Sequence, residues 1–318
     1  MIIPFAPHWV AFGGALFIVG ALDAVVDVAQ NAHGLRVQRL YRRSILNSLH
    51  GVWSIGAVLG GLMGSAAAGL RLPLAIHLAT SATLFSIVAL IAYGFLLPGQ
   101  EDAERATEAQ DLAAADGHPA GPPASQHSGR RSFTGPAVRM LAALGALAAC
   151  GALVEDAGAS WGALYLTGLH ADAATAGLAV VIFQVAMTVG RLSGDRVVDR
   201  FGPRTVARAG GILAAVGMGA ALAVPSIPSA LAGFTLAGLG FATLVPAAMH
   251  TADELPGLSP GTGLTIVNWL LRGGFLLSPL LVGFIADLSS LRAGLLSVVL
   301  AGVITIVLAR VLVNRTSS

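Results

Sequence analysis

The sequence predicts an all-α, polytopic membrane helix bundle, and three observations carry that prediction. The chain of 318 residues is 55% hydrophobic and only 11% charged, whereas a soluble domain carries about a quarter charged residues. Its apolar residues gather into nine runs, each near the roughly 20 residues that an α-helix needs to cross a bilayer. Its basic residues, all eighteen of them Arg, crowd into alternate loops between those runs, as topology signals do.

In chain order the spans fall at about 9–32, 47–69, 72–97, 136–168, 173–194, 205–224, 227–251, 261–287 and 291–312. Gly56, Gly60 and Gly64, at four-residue spacing in the second span, predict close helix contact. Pro279 predicts a kink in the eighth, because it interrupts the hydrogen-bond ladder. If the 33–46 loop is cytoplasmic, fifteen Arg fall inside, only Arg71 and Arg292 fall outside, and Arg272 lies within a span. That asymmetry predicts an outside N-terminus and a cytoplasmic C-terminus in the bacterial cell (inner) membrane. Residues 98–135 carry Glu101, Asp102, Glu104, Glu108, Asp111 and Asp116, then Pro, Gly and Ser. Such a stretch buries too little apolar surface to fold, so a disordered cytoplasmic linker is expected there. The expected domains are therefore 1–97 with three helices, the 98–135 linker, and 136–318 with six.

Composition also excludes several functions. Net charge is only +2, which describes anchoring loops and no nucleic-acid face. Cys150 stands alone, so no intrachain disulfide forms, and the scattered histidines suggest no metal site. No HExxH, GxSxG or Walker loop occurs, so neither an enzyme nor an ATP-driven pump is indicated and no cofactor is called for. The N-terminus, MIIPFAPHWV, carries no secretory signal.

One stretch concentrates polar chemistry. Gly190 to Arg208, GRLSGDRVVDRFGPRTVAR, holds five of the Arg residues and two acids between apolar runs. Asp195, Arg196, Asp199 and Arg200 are expected to pair across the turn made by Gly202 and Pro203, tying the flanking helices together. The DRFGPR run after GRLSGD resembles the loop motif of major facilitator superfamily (MFS) transporters. ALDAVVDVAQNAHG (21–34) and SLHGVWSIGAVLGG (48–61) are similar to that family's fucose-permease-like branch. A shift of 219 residues lays spans one to three over spans seven to nine, with Gly14 on Gly233, Val26 on Val245 and Gly64 on Gly283. Spans four to six have no upstream counterpart, so the resemblance implies a chain without the first three of twelve helices.

The resemblance implies a secondary active transporter of a small-molecule substrate, working by alternating access in a lipid bilayer with protons as the coupling ion. Symport and antiport stay open, as does the oligomeric state. A truncated, non-transporting remnant or membrane interaction protein is the alternative. Gly190, Gly194, Asp195, Arg196, Asp199, Arg200, Gly202 and Arg204 would form its cytoplasmic gate motif.

Ionisable groups inside a bilayer are costly and mark candidate pathway residues. Asp23, Asp27 and Asn31 recur every four residues on the first span and make one polar stripe, for substrate binding or proton uptake. The resemblance puts that stripe on a cavity-lining helix, and does the same for Glu155 and Asp156 on the fourth span. Those two neighbours point about 100° apart, so one of them is expected to face the cavity. Trp161 and Tyr165 follow, either as interfacial aromatics or as a stacking surface. Arg272 lies near mid-membrane, where Glu155 or Asp156 is its expected partner, in a structural pair or in anion binding. Asn47, His50 and Ser54 share a face of the second span, and Gln184 completes the candidates.

Overall fold

The structure is a computed structural model that describes residues 8–99 and 135–312. Every regular element among these residues is helical. The expected 98–135 linker and the C-terminal Arg315 lie essentially outside the described residues.

Helix α1 (Trp9–Tyr41) continues well past residue 32, where its apolar run ends. No proline interrupts the stretch from His33 to Tyr41, so the backbone ladder carries on after the side chains turn polar. Hydropathy therefore located an edge of the apolar run, not the end of the helix. A short turn through Arg42, with φ 53°, leads to α2 (Leu46–Gly69) and then α3 (Leu74–Tyr93).

The second half opens on a long rod: α4 (Gly135–Asp156), one π-helical turn at Ala157–Trp161, and α5 (Gly162–Gly168). Helix α6 (Ala173–Phe201) follows, and only Gly202 separates it from α7 (Pro203–Ala223). Next come α8 (Ile227–Phe241), α9 (Leu244–Asp253), the long α10 (Thr262–Leu288), the single turn α11 (Leu291–Gly294) and α12 (Leu296–Leu308). Pro279 stays within continuous α10.

Eight helical rods among the described residues are long and apolar enough to cross a membrane, including Gly135–Gly168 and Ile227–Asp253 taken whole. Helix α2, 24 residues long, overlies the second predicted span. The all-α bundle predicted from the sequence is the architecture observed.

Contacts divide the described chain into two units, residues 8–36 with 55–99, and residues 37–54 with 135–312. In the first unit no residue of α3 is buried. A Cβ on Gly56, Gly60 or Gly64 would meet nothing within 4 Å among the described residues, so the close contact expected of them is not seen there. In this unit the backbone N–H of Leu97 donates to His33 Nε2 at 3.4 Å, and Arg36 donates to the Pro98 carbonyl at 3.0 Å. The segment after α3 is thereby tied to α1.

In the second unit, glycine makes the close approaches. A Cβ on Gly210 would lie 1.9 Å from the Gly240 carbonyl oxygen, so α7 and α8 touch backbone to backbone. Gly211 and Gly302 do the same for α7 and α12. Small residues let helices pack closely where lipid supplies no hydrophobic drive. The core centres on Leu144, Leu147, Phe183, Met187, Met218, Phe234, Met249 and Leu264, all fully buried.

Candidate functional site

The polar chemistry of the second unit is organised along α6. Asp172 starts this helix, its carboxylate accepting from the backbone N–H groups of Ala174 and Thr175, both at 3.0 Å. The bond from the Thr175 backbone holds its carboxyl below the usual value, with a bond from the Thr175 hydroxyl adding to the effect. At its far end α6 stops because Gly202 adopts φ 80°, a conformation that glycine reaches without steric cost. Pro203, which has no N–H to leave unsatisfied, opens α7.

Near that end, two carboxylates one turn apart reach residues 44–48. Asp195 Oδ1 accepts from the backbone N–H of Asn47 at 3.1 Å and from Asn47 Nδ2 at 2.9 Å. Asp195 Oδ2 accepts from the backbone N–H of Ser48 at 2.8 Å and from the Ser48 hydroxyl. Asp199 Oδ1 accepts from the Ser44 N–H at 3.2 Å and its hydroxyl at 2.6 Å. Gln38 Oε1 fills the gap, accepting from the N–H groups of Ile45 and Leu46 at 2.9 and 3.1 Å. Every backbone donor from Ser44 to Ser48 is thus satisfied by a side chain. A helix start leaves such donors unpaired and carries partial positive charge, so two carboxylates suit it in both respects.

This finding corrects the expected pairing across the turn. Asp195 and Asp199 face the start of α2, because several fixed N–H groups offer a carboxylate more bonds than one mobile Arg. Arg196 is exposed, and the Arg200 guanidinium lies 5.4 Å from the centre of the Phe201 ring. Arg204 donates to the Leu312 carbonyl at 3.1 Å. The motif glycines serve packing: a Cβ on Gly190 would meet Ala242 at 2.6 Å, and one on Gly194 would meet Thr243 at 2.6 Å and Asn47 at 3.2 Å. Beside the clamp lies a cavity of about 260 Å³ lined by Gln38, Ser44, Asn47, Asp199, Gly202 and His250. Arg39 pairs with Asp253 at 2.9 Å in the same unit.

Deeper along α6 lies a buried ion pair. Arg191 donates from Nη2 to Glu155 at 2.8 Å and from Nη1 to the Ser54 hydroxyl at 2.6 Å. Sequence reasoning counted Arg191 among the loop residues and so missed it. The signal was available, because Arg191 falls inside the predicted fifth span, where a charge needs a partner. Arg272 is expected to meet Glu155 or Asp156, but Glu155 is taken by Arg191; the Arg272 Nε donates to Asn268 Oδ1 at 3.2 Å, one turn earlier on α10. Asp156 accepts from the hydroxyls of Ser160 and Ser278, both at 2.8 Å. Glu155 and Asp156 therefore serve different neighbours, as adjacent positions on a helix require.

The π turn follows at once. A Cβ on Gly158 would lie 2.5 Å from the Phe183 ring, so the π turn packs directly on α6. Trp161 ends the turn, and its indole lies 3.4 Å from where a Cβ on Gly283 would stand. Gln184 is half-buried on α6, and His50 is half-buried on α2 between Asn47 and Ser54. In the first unit Asp23 is exposed and Asp27 half-buried. Asn31 donates to the Asp27 carbonyl at 2.9 Å and to its carboxylate at 3.0 Å. The stripe expected on α1 thus holds together from Asp27 to Asn31.

Long apolar helices, charges paired inside them and a carboxylate clamp at an Arg-rich turn define a polytopic integral membrane protein. The family follows from comparison with known proteins. Residues 156–318 match the model of the Major Facilitator Superfamily. An uncharacterised MFS-type transporter of Yersinia pestis is 30% identical over 94% of this chain and 71% of its own length. The membrane protein MosC of Rhizobium meliloti is 31% identical over 92% of this chain and 66% of its own. Among solved structures, the MFS transporter FucP in its outward conformation shares the fold, with a TM-score of 0.71 at 17% identity, over 97% of this chain and 77% of that one. The chain belongs to the major facilitator superfamily, a family of membrane transporters.

Proposed function

We propose that this chain is a secondary active transporter that moves a small solute by alternating access, driven by a proton gradient. The observation that carries the reading is the clamp of Asp195 and Asp199 on residues 44–48. A contact built from hydrogen bonds at a helix start can open and re-form, because water can replace each bond in turn. Apolar packing offers no such exchange. The clamp and the motif from Gly190 to Arg204 then act as the cytoplasmic gate.

Asp23, Asp27, Asn31, His50, Glu155, Asp156, Trp161, Gln184 and Arg272 supply the solute and proton pathway, with Asp27 carrying the proton. The chain lies in the bacterial inner membrane with its C-terminus in the cytoplasm. Its domains are a three-helix part at 1–97, a linker at 98–135 and a six-helix part at 136–318. Purified protein in liposomes, given an imposed pH gradient and a pool of labelled solutes, tests the reading. Gradient-driven uptake that Asp27→Asn abolishes is expected. Uptake indifferent to the gradient removes proton coupling, and no uptake of any solute removes transport.

A further inference from the structure

The Arg191 guanidinium has three nitrogens, and the fold engages two of them. Nη1 is taken by Ser54 and Nη2 by one oxygen of Glu155. The third, Nε–H, is buried and has no hydrogen-bond partner among the described residues. The side chain is only 4% exposed, so solvent is a poor substitute. A buried donor left without an acceptor costs free energy, and such a group in a native protein calls for an explanation.

Three features argue against an accident of packing. Arg191 stands on α6 where the apolar run gives way to the charged turn, yet its side chain is almost fully buried among helices. A charge buried in a membrane bundle is costly and calls for a role. Next, its setting is rigid. On the same two helices, a Cβ on Gly51 would lie 2.6 Å from Leu192, and Gly194 presses on Asn47, so α2 and α6 cannot slide apart without losing that fit. Ser54, which holds Nη1, is fully buried and donates back to the His50 carbonyl at 3.0 Å. Last, Glu155 engages the guanidinium through one nitrogen, although a carboxylate can span two in parallel. The second position of that fork stays open.

We propose that Arg191 is a solute-binding residue, whose Nε–H takes an acceptor oxygen of the transported molecule while Ser54 and Glu155 hold the guanidinium in place. The chemical class follows from charge. Glu155 already cancels the charge of Arg191, so a second anion there would be buried without a counter-charge. The site therefore takes an uncharged, oxygen-bearing solute that offers a hydroxyl or carbonyl group. This inference rests on the transporter reading for its setting, but it makes a separate statement about binding.

The test measures binding and flux separately on the full chain. Thermal melting of detergent-purified protein is followed with xylitol, D-ribose or acetamide as uncharged probes, and with lactate or ethylamine as charged ones. At least one uncharged probe is expected to raise Tm, and the charged ones are not. Arg191→Lys keeps the charge that pairs with Glu155 but has no donor at the Nε position. It is expected to weaken binding of that probe by about tenfold to a hundredfold, the worth of one charge-assisted hydrogen bond. Should this variant fail to fold, Arg191→Gln with Glu155→Gln removes both charges together and is expected to lose the same binding. Unchanged affinity in either variant overturns the proposal, as does stabilisation of the wild type by charged probes alone or by no probe. Flux in liposomes separates the two readings. Binding lost in Arg191→Lys without wild-type flux keeps the proposal and removes transport, whereas flux with unchanged affinity in the variant does the reverse.

Discussion

Two helix starts in this molecule use the same chemistry at very different range. Helix α6 is capped by Asp172, an exposed residue immediately before it. Helix α2 is capped by Asp195, which is buried and stands 148 residues further along the chain. Both carboxylates accept two backbone N–H groups and a hydroxyl. The local cap stabilises one helix and nothing else. The distant cap makes the start of α2 conditional on the end of α6, so moving either disturbs both. Glu155 extends the series, being a carboxylate that answers a guanidinium on another helix.

Breaking the one of these partnerships that joins two opposite charges should have the largest effect. Glu155→Gln leaves Arg191 as a buried charge without a counter-ion, and a cost of about 3–5 kcal/mol is expected. The folded yield in detergent and the melting temperature read it out, and the double replacement with Arg191→Gln should recover most of the loss. Failure to recover would mean that Glu155 matters for something other than that pair.

Asp195→Ala comes next. It strands the N–H groups of Asn47 and Ser48, and about 2 kcal/mol is expected from the upper range of capping effects. Hydrogen exchange should quicken at those two amides while the amides of α6 keep their protection. Equal loosening of both helices would show that the cap holds α6 as well as α2. Ser44→Ala removes only the hydroxyl bond to Asp199 and should cost about 0.5–1 kcal/mol. Limited proteolysis of the 42–48 turn is the sensitive measure.

Asp172 gives the smallest effect and a distinct pH signature. Its carboxyl is held below the usual carboxylate value by the bond from the Thr175 backbone, so ionised Asp172 contributes its stability above that usual value. The contribution falls away as pH drops through the lower folded value. Acid melting curves of wild type and Asp172→Asn should therefore differ at neutral pH and converge once the pH has fallen through the lowered value. Curves that stay parallel in acid would show that the charge of Asp172 plays no part in the cap.

The helices were legible in the sequence because apolar run length answers a single physical demand, the thickness of a bilayer. The spans at 227–251 and 261–287 match the observed rods to within a residue or two at their ends. Where the run and the helix have different causes, the reading fell short. The ladder of α1 runs on to Tyr41 through residues that are no longer apolar. Gly56, Gly60 and Gly64 have the spacing of a contact stripe and no close neighbour among the described residues, while Gly210 and Gly240 touch without lying in any such repeat. Spacing reports which residues share a face, and only a neighbour decides whether that face is used. The same limit explains Arg272 and Arg191. Each was visible as an Arg within an apolar stretch, but which carboxylate it meets depends on distances between helices.

The sequence by itself determined that this chain is a bundle of membrane helices, that most of its Arg residues cluster at the ends of and between apolar runs, and that a charged turn follows Phe201. Those properties depend on composition, on run length and on the φ that Gly202 can adopt, all of which are local. Tertiary structure alone decided that Asp195 and Asp199 serve the start of α2, that Gln38 completes the set, and that Glu155 belongs to Arg191. A hydrogen bond requires donor and acceptor within about 3 Å. Asp195 and Asp199 stand 147 and 155 positions from Ser48 and Ser44, and Glu155 stands 36 from Arg191, so only the packed fold brings them that close. Gln38 reaches Ile45 and Leu46, 7 and 8 positions on, because the chain turns back after α1.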